Sequence, residues 1–153
     1  MRRCLLILTL VFLAVVPPLA GQSTVTGIRD LVFGVVIRGV QTTVSPNDPI
    51  RSGRFYVRHV LNRQVRIRFT LPTQLARVGG GGTLSINFRN NDAVARGTGP
   101  GSVPVTFNPH APQTFNLVTS ADFFVNLGGR VSPAANQPTG NYRGTVVLTC
   151  TFF

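Results

Sequence analysis

The chain contains no lysine, no glutamate and no tryptophan, so arginine and aspartate carry all of its side-chain charge. Fifteen basic residues stand against four acidic ones, giving a formal net charge of +11 at pH 7. With so few carboxylates and only two histidines, little is available to act as general acid, general base or metal ligand. The histidines, His59 and His110, are distant from each other and read as surface or loop residues, so no zinc spacing is present. The glycine runs lack the Lys-Ser/Thr ending and following helix of a phosphate loop, and no Gly-x-Ser-x-Gly elbow occurs. These absences argue against an enzyme and against any cofactor. No apolar run reaches the roughly 20 residues that a membrane-spanning helix needs.

What is present is a foldable chain. At 43% hydrophobic and 12% charged, it is too apolar to stay disordered despite its net charge. Its 153 residues suit one domain. The first twenty read as a secretory signal peptide: Arg2 and Arg3 are the basic region, Leu5 to Val16 is apolar, and Pro17-Pro18 precede small residues at Ala20 and Gly21. Residues 1–20 are therefore expected to be removed and 21–153 to form a single exported domain, in the periplasm or at the bacterial surface. Removal takes Cys4 with it. Cys150 then stays alone between Thr149 and Thr151, as a small core hydrophobe rather than a disulfide partner.

Beyond the leader, alternation bounded by Gly, Pro and Asn is the recurring signal, which is the signature of strands. Single faces are shared by Leu31, Phe33, Val35 and Ile37, by Phe55 and Val57, and by Val65, Ile67 and Phe69. The same holds for Leu84, Ile86 and Phe88, and for Val103, Val105 and Phe107. Shorter segments lie at 115–118 and 123–127. The final strand places Val146, Leu148, Cys150 and Phe152 inward, with Tyr142 in phase. Clusters at 45–49, 79–82, 97–101 and 133–140 supply the turns. The pattern predicts an all-β antiparallel sandwich of about seven to nine strands.

Three stretches carry a family resemblance: Asp30-Leu31-Val32-Phe33-Gly34; Phe55-Tyr56-Val57 followed by Val65 to Pro72; and the ending from Pro138 to Phe152. Together they resemble the domain of unknown function 4402 family of exported bacterial proteins. The ending, with its Gly140-x-Tyr142-x-Gly144 turn, is similar to spore coat protein U-like and fimbrial subunit domains. The resemblance implies an immunoglobulin-like or pilin-like sandwich and a structural role, with Tyr142, Gly144 and Phe152 as assembly or structural residues. It brings no catalytic residues. In pilins a neighbour's N-terminal extension completes the fold by strand addition. Here the segment before the first expected strand, Gly21 to Arg29, lacks alternating large apolar residues, so a self-complete sandwich is expected.

Six arginines fall between residues 51 and 68. If the strands around Phe55 and Ile67 pair, Arg54, Arg58, Arg66 and Arg68 share one solvent face. That face would suit acidic glycans or lipopolysaccharide. A proteome that avoids Lys explains the same arginines without a ligand, and nothing indicates specific nucleic-acid binding. Two functional readings follow. The first is a surface structural subunit meeting itself or other subunits through edge strands, and the second is an anion-binding module.

Overall fold

A computed structural model describes residues 23–58, 63–98, 101–117 and 122–153. The leader, His59 and Val118 fall outside these residues, as does the side chain of Arg63. No described residue is helical, and no helix is long and apolar enough to cross a membrane. The described strands, in chain order, are β1 (Thr24–Arg29), β2 (Thr42–Val44), β3 (Gly53–Arg58), β4 (Arg63–Thr70), β5 (Gln74–Arg77), β6 (Thr83–Asn87) and β7 (Ala93–Gly97). They continue with β8 (Val105–Phe107), β9 (Gln113–Leu117), β10 (Phe123–Leu127), β11 (Gly129–Ser132), β12 (Tyr142–Arg143) and β13 (Val147–Phe152).

These strands form three antiparallel sheets. The first is ordered β1-β3-β10-β7-β8, the second β12-β5-β6-β11-β2 and the third β13-β4-β9. The fold is an all-β sandwich, as the alternation predicts. It has more and shorter strands than expected, because long runs bend and pass from one sheet to another. Gly128 marks one such passage, between β10 and β11. A Cβ there would lie 2.5 Å from the Val44 carbonyl oxygen and 2.6 Å from the Pro46 nitrogen, so only glycine lets the chain cross.

The first and third sheets face each other across a ladder of phenylalanines. Phe55 meets Phe69 at 5.8 Å between ring centroids, and Phe69 meets Phe107 at 6.3 Å. Phe107 meets Phe115 at 5.4 Å, and Phe115 meets Phe123 at 5.5 Å. Successive rings come from opposite sheets, so each contact holds one sheet on the other. Such pairs contribute on the order of 0.5–1.5 kcal/mol each beyond the area they bury. Val57, Val65, Ile67, Val125 and Val131, all fully buried, fill the space around the ladder.

Three sequence expectations are corrected. Residues 31–37 are not a strand: Gly34 adopts φ 72°, which ends the alternation, and the segment runs as an irregular strap. Leu31, Phe33 and Val36 still pack on the core, whereas Val35 is 95% exposed. Residues 24–29, read as a spare segment, pair with β3 as an edge strand. The ending is not one long strand: Tyr142 and Arg143 pair with β5, while Val147 to Phe152 pair with β4. The Gly79 to Gly82 run is a hairpin tip between β5 and β6, as expected, with positive φ at Gly79, Gly80 and Gly81.

Phe69 touches rings on both sides of it, so Phe69→Ala should cost about 3–5 kcal/mol, measurable by urea unfolding. Gly128→Ala should destabilise by about 1–3 kcal/mol or more, because the clash is with backbone. Phe153→Ala, at a half-exposed terminus, serves as the reference and should change stability by less than about 0.5 kcal/mol.

Candidate functional site

β1 and β13 are edges of the first and third sheets, and they approach each other along one flank. Each has six residues and one hydrogen-bonded neighbour. Leu148, Cys150 and Phe152 of β13 point inward but stay half-buried, as does Val25 of β1. The flank is thus only partly closed. At one end it opens into a groove of about 1070 Å³, lined by Phe55, Leu75, Ile86, Leu127 and Val146 and crossed by the strap.

The other described edges look different. β12 and β2 have two and three residues. β8, with three residues, lies between Pro104 and Pro109, and β9 follows Pro112. Short length and proline are standard protections against edge-to-edge pairing. β1 is blunted by a register shift between Gly27 and Arg29. Arg29 then anchors the strand end: its Nε donates to the Ser52 carbonyl at 2.7 Å, its Nη2 donates to Ser52 Oγ at 2.8 Å, and its Nη1 bonds the Pro49 carbonyl. Asp48 closes that loop by accepting the amides of Ile50 and Arg51 at 2.9 and 2.8 Å. Those amides, Arg51 foremost, hold the Asp48 carboxyl below its ordinary range. β13 carries neither charge, proline nor irregular register.

The three residues singled out at the ending occupy separate structural roles. The Tyr142 hydroxyl donates to the Pro138 carbonyl at 2.6 Å and accepts from Gln137 Nε2 at 2.7 Å. Gln137, buried, also donates to the Thr83 carbonyl at 2.9 Å, so Tyr142 fastens the 133–140 loop to β6. Gly144 sits where the chain leaves the second sheet for the third, and a Cβ there would lie 2.6 Å from Leu75 Cδ2. Phe152 pairs with fully buried Val65 near the end of β13. Of the three, Phe152 alone lies on the open flank.

The four arginines expected on one face are not brought together. β3 and β4 do not pair; they belong to sheets that face each other through Phe55 and Phe69. Outward residues of the two strands therefore point in opposite directions, with Arg54 and Arg58 on one side of the sandwich and Arg66 and Arg68 on the other. Arg66 lies beside Thr151 and Thr114, and its guanidinium sits 5.4 Å from the Phe153 ring. Arg54 instead lies over the ring of Phe124, 4.0 Å from its centroid. The register also adds Arg96 to that side, in the same cross-strand row as Phe124 and Tyr56. Sequence reading missed Phe124 and Arg96. The alternation within Phe123-Phe124-Val125 was the available signal, since it requires one of the two phenylalanines to face outward.

Two of the titratable groups have structural partners in loops. His110 Nε2 lies 2.8 Å from the Phe88 carbonyl, and Asp92 accepts the Arg89 amide at 2.7 Å. No group of three or more His, Cys, Asp or Glu is gathered among the described residues. Comparisons of the chain with models of protein families, with curated proteins and with solved structures give no match.

Cys150 is a free thiol whose burial raises its pKa from 9.0 to about 11. At pH 8 its thiolate fraction should be about a hundredfold below that of an ordinary thiol, so alkylation of the native chain should be slow and become fast in urea. The folded-state pKa is the higher one, so this thiol's contribution to stability is complete below pH 9 and disappears as pH rises towards 11. Cys150→Ala should remove that part of the alkaline loss, read from melting temperatures across this range.

Proposed function

We propose that this protein is a non-catalytic structural subunit, exported to the periplasm or surface of a bacterium, that associates with copies of itself or related subunits through the β1/β13 flank. One observation carries the reading: β13 is a six-residue, uncharged, proline-free edge with a regular register and a half-buried apolar face. Such an edge offers backbone donors and acceptors to an added strand, and its alternate side chains meet an incompletely filled interior. Every other described edge is shortened, bulged or proline-flanked. The resemblance of the Gly140-x-Tyr142-x-Gly144 ending to fimbrial and coat subunits points the same way. The strand before the strap is used within the chain's own fold, which favours edge pairing over a free donor segment.

Without Arg2 and Arg3, residues 21–153 hold thirteen Arg against four Asp, a net charge of +9 that opposes association and that salt screens. Light scattering and negative-stain imaging of residues 21–153 should therefore show oligomers or filaments that persist and grow at high salt. Thr149→Glu/Thr151→Glu places carboxylates on the edge strand beside Arg68 and Arg66, its register partners, so the monomer keeps its fold. That variant should remain monomeric. Association equal to that of the unsubstituted chain would remove β13 as the contact, and a native chain that stays monomeric at high salt would remove the reading altogether.

A further inference from the structure

The outward face of the first sheet carries a cluster unlike the rest of the surface. Its central row runs Thr26, Tyr56, Phe124 and Arg96 across β1, β3, β10 and β7. The next row holds Arg29, whose guanidinium bonds Ser52 and Pro49, then the partly buried Arg54 and Asn126, the fully buried Val94 and the exposed Thr106. Arg58 follows Tyr56 along β3, beside Thr24. Tyr56 and Phe124 are in contact at 5.3 Å between ring centroids, tilted by 40°. The Tyr56 hydroxyl donates to Asp122 at 3.0 Å, so one carboxylate is fixed at the border of the cluster.

Besides Arg29, which is bonded to Ser52 and Pro49, three guanidinium groups thus share one sheet face with a single carboxylate. Arg54 and Arg58 lie about 14 Å apart along β3 at ~3.4 Å per residue, and Arg96 lies about 10 Å across, two strands away at ~4.8 Å per strand. Among the described residues the one ion pair joins Arg51 to Asp48, so none of the three is neutralised by it. Like charges gathered on a sheet face oppose folding. Arg54 adds to that cost, because its Nε is buried without a partner, and so is Asn126 Oδ1 in the same row. Stacking on Phe124 holds the Arg54 guanidinium in place rather than leaving it to disperse into solvent. Arg66 and Arg68, on the opposite side, are flanked by threonines, and the Arg66 guanidinium lies farther from its ring, 5.4 Å from Phe153 against 4.0 Å for Arg54 over Phe124.

We infer that this face is a binding surface for a carboxylated polysaccharide, a chain of uronic-acid type. Planar guanidinium forks match carboxylates in two-point geometry, and three of them spaced over more than one sugar length suit a repeating polyanion. Thr24, Thr26 and Tyr56 supply hydroxyl partners for sugar hydroxyls between the charges. Bases of a nucleic acid would need free aromatic faces to stack on, and Arg54 already covers Phe124. The inference stands apart from the assembly reading, since the face is perpendicular to the strand edges and stays open when edges pair.

The test is calorimetric titration of the folded 21–153 chain with polygalacturonate at low and moderate salt, with neutral dextran and oligo(dT) as comparison ligands. Arg54→Gln/Arg58→Gln/Arg96→Gln should weaken polygalacturonate binding by about tenfold or more, while Arg66→Gln/Arg68→Gln should change it by less than about twofold. Phe124→Leu keeps every charge and should still weaken binding several-fold by releasing Arg54; unchanged melting temperatures would show that these variants fold. Equal losses from both arginine sets would reduce the effect to net charge and overturn the inference. So would tighter binding of oligo(dT), equal binding of dextran, or no binding of polygalacturonate at low salt.

Discussion

The structure depends on the phenylalanine ladder that joins the two facing sheets. Phe55, Phe107 and Phe123 from one sheet interleave with Phe69 and Phe115 from the other. With no disulfide in the described fold and no helix to cover a sheet face, this interleaving and the valines around it hold the layers together. It also fixes which residues face out. Once Phe55 and Phe69 meet, Arg54, Tyr56 and Arg58 must emerge on one side and Arg66 and Arg68 on the other. The separation of the arginines into two unlike faces is therefore a consequence of the core.

The ladder ends before the flank does. Leu148, Cys150 and Phe152 extend the apolar interior towards β1, yet no strand closes the gap, and the strap from Leu31 to Val36 covers only one end with side chains. The strap's backbone makes few bonds: the Val32 amide reaches the Arg51 carbonyl, and the Gly39 amide reaches the Pro133 carbonyl. An open edge and a loosely held cover occur together on this flank. The protections found at every other described edge are missing from β13, and that contrast makes the flank the natural place for a partner strand.

Much of this was legible in the sequence. Strict alternation located β3, β4, β6 and β13 and their inward residues, because each is half-buried and the side-chain period is two. Turn chemistry located the Gly79–Gly82 tip and the 45–49 loop. Three features were not legible for physical reasons. Thr24 to Arg29 has little apolar character of its own and becomes a strand because β3 offers it an edge. Leu31 to Ile37 alternates well, but one residue, Gly34, in the left-handed region breaks the ladder. The pairing of β3 with β4 looked natural because consecutive strands often pair, and only the three-dimensional stacking of Phe55 on Phe69 sends them to opposite sheets. The Tyr142 to Phe152 break was hidden for a related reason. Gly144 preserves the sequence phase while the chain changes sheet against Leu75.

Amide hydrogen exchange, read strand by strand at low and high protein concentration, tests the central claim most directly. β10, paired on both sides, should be protected at every concentration. The outward amides of β13 and β1 should exchange quickly in dilute solution and become protected as concentration and salt rise. Protection of β13 that is already complete in dilute monomer, or protection gained elsewhere on the surface while β13 stays exposed, would contradict the account.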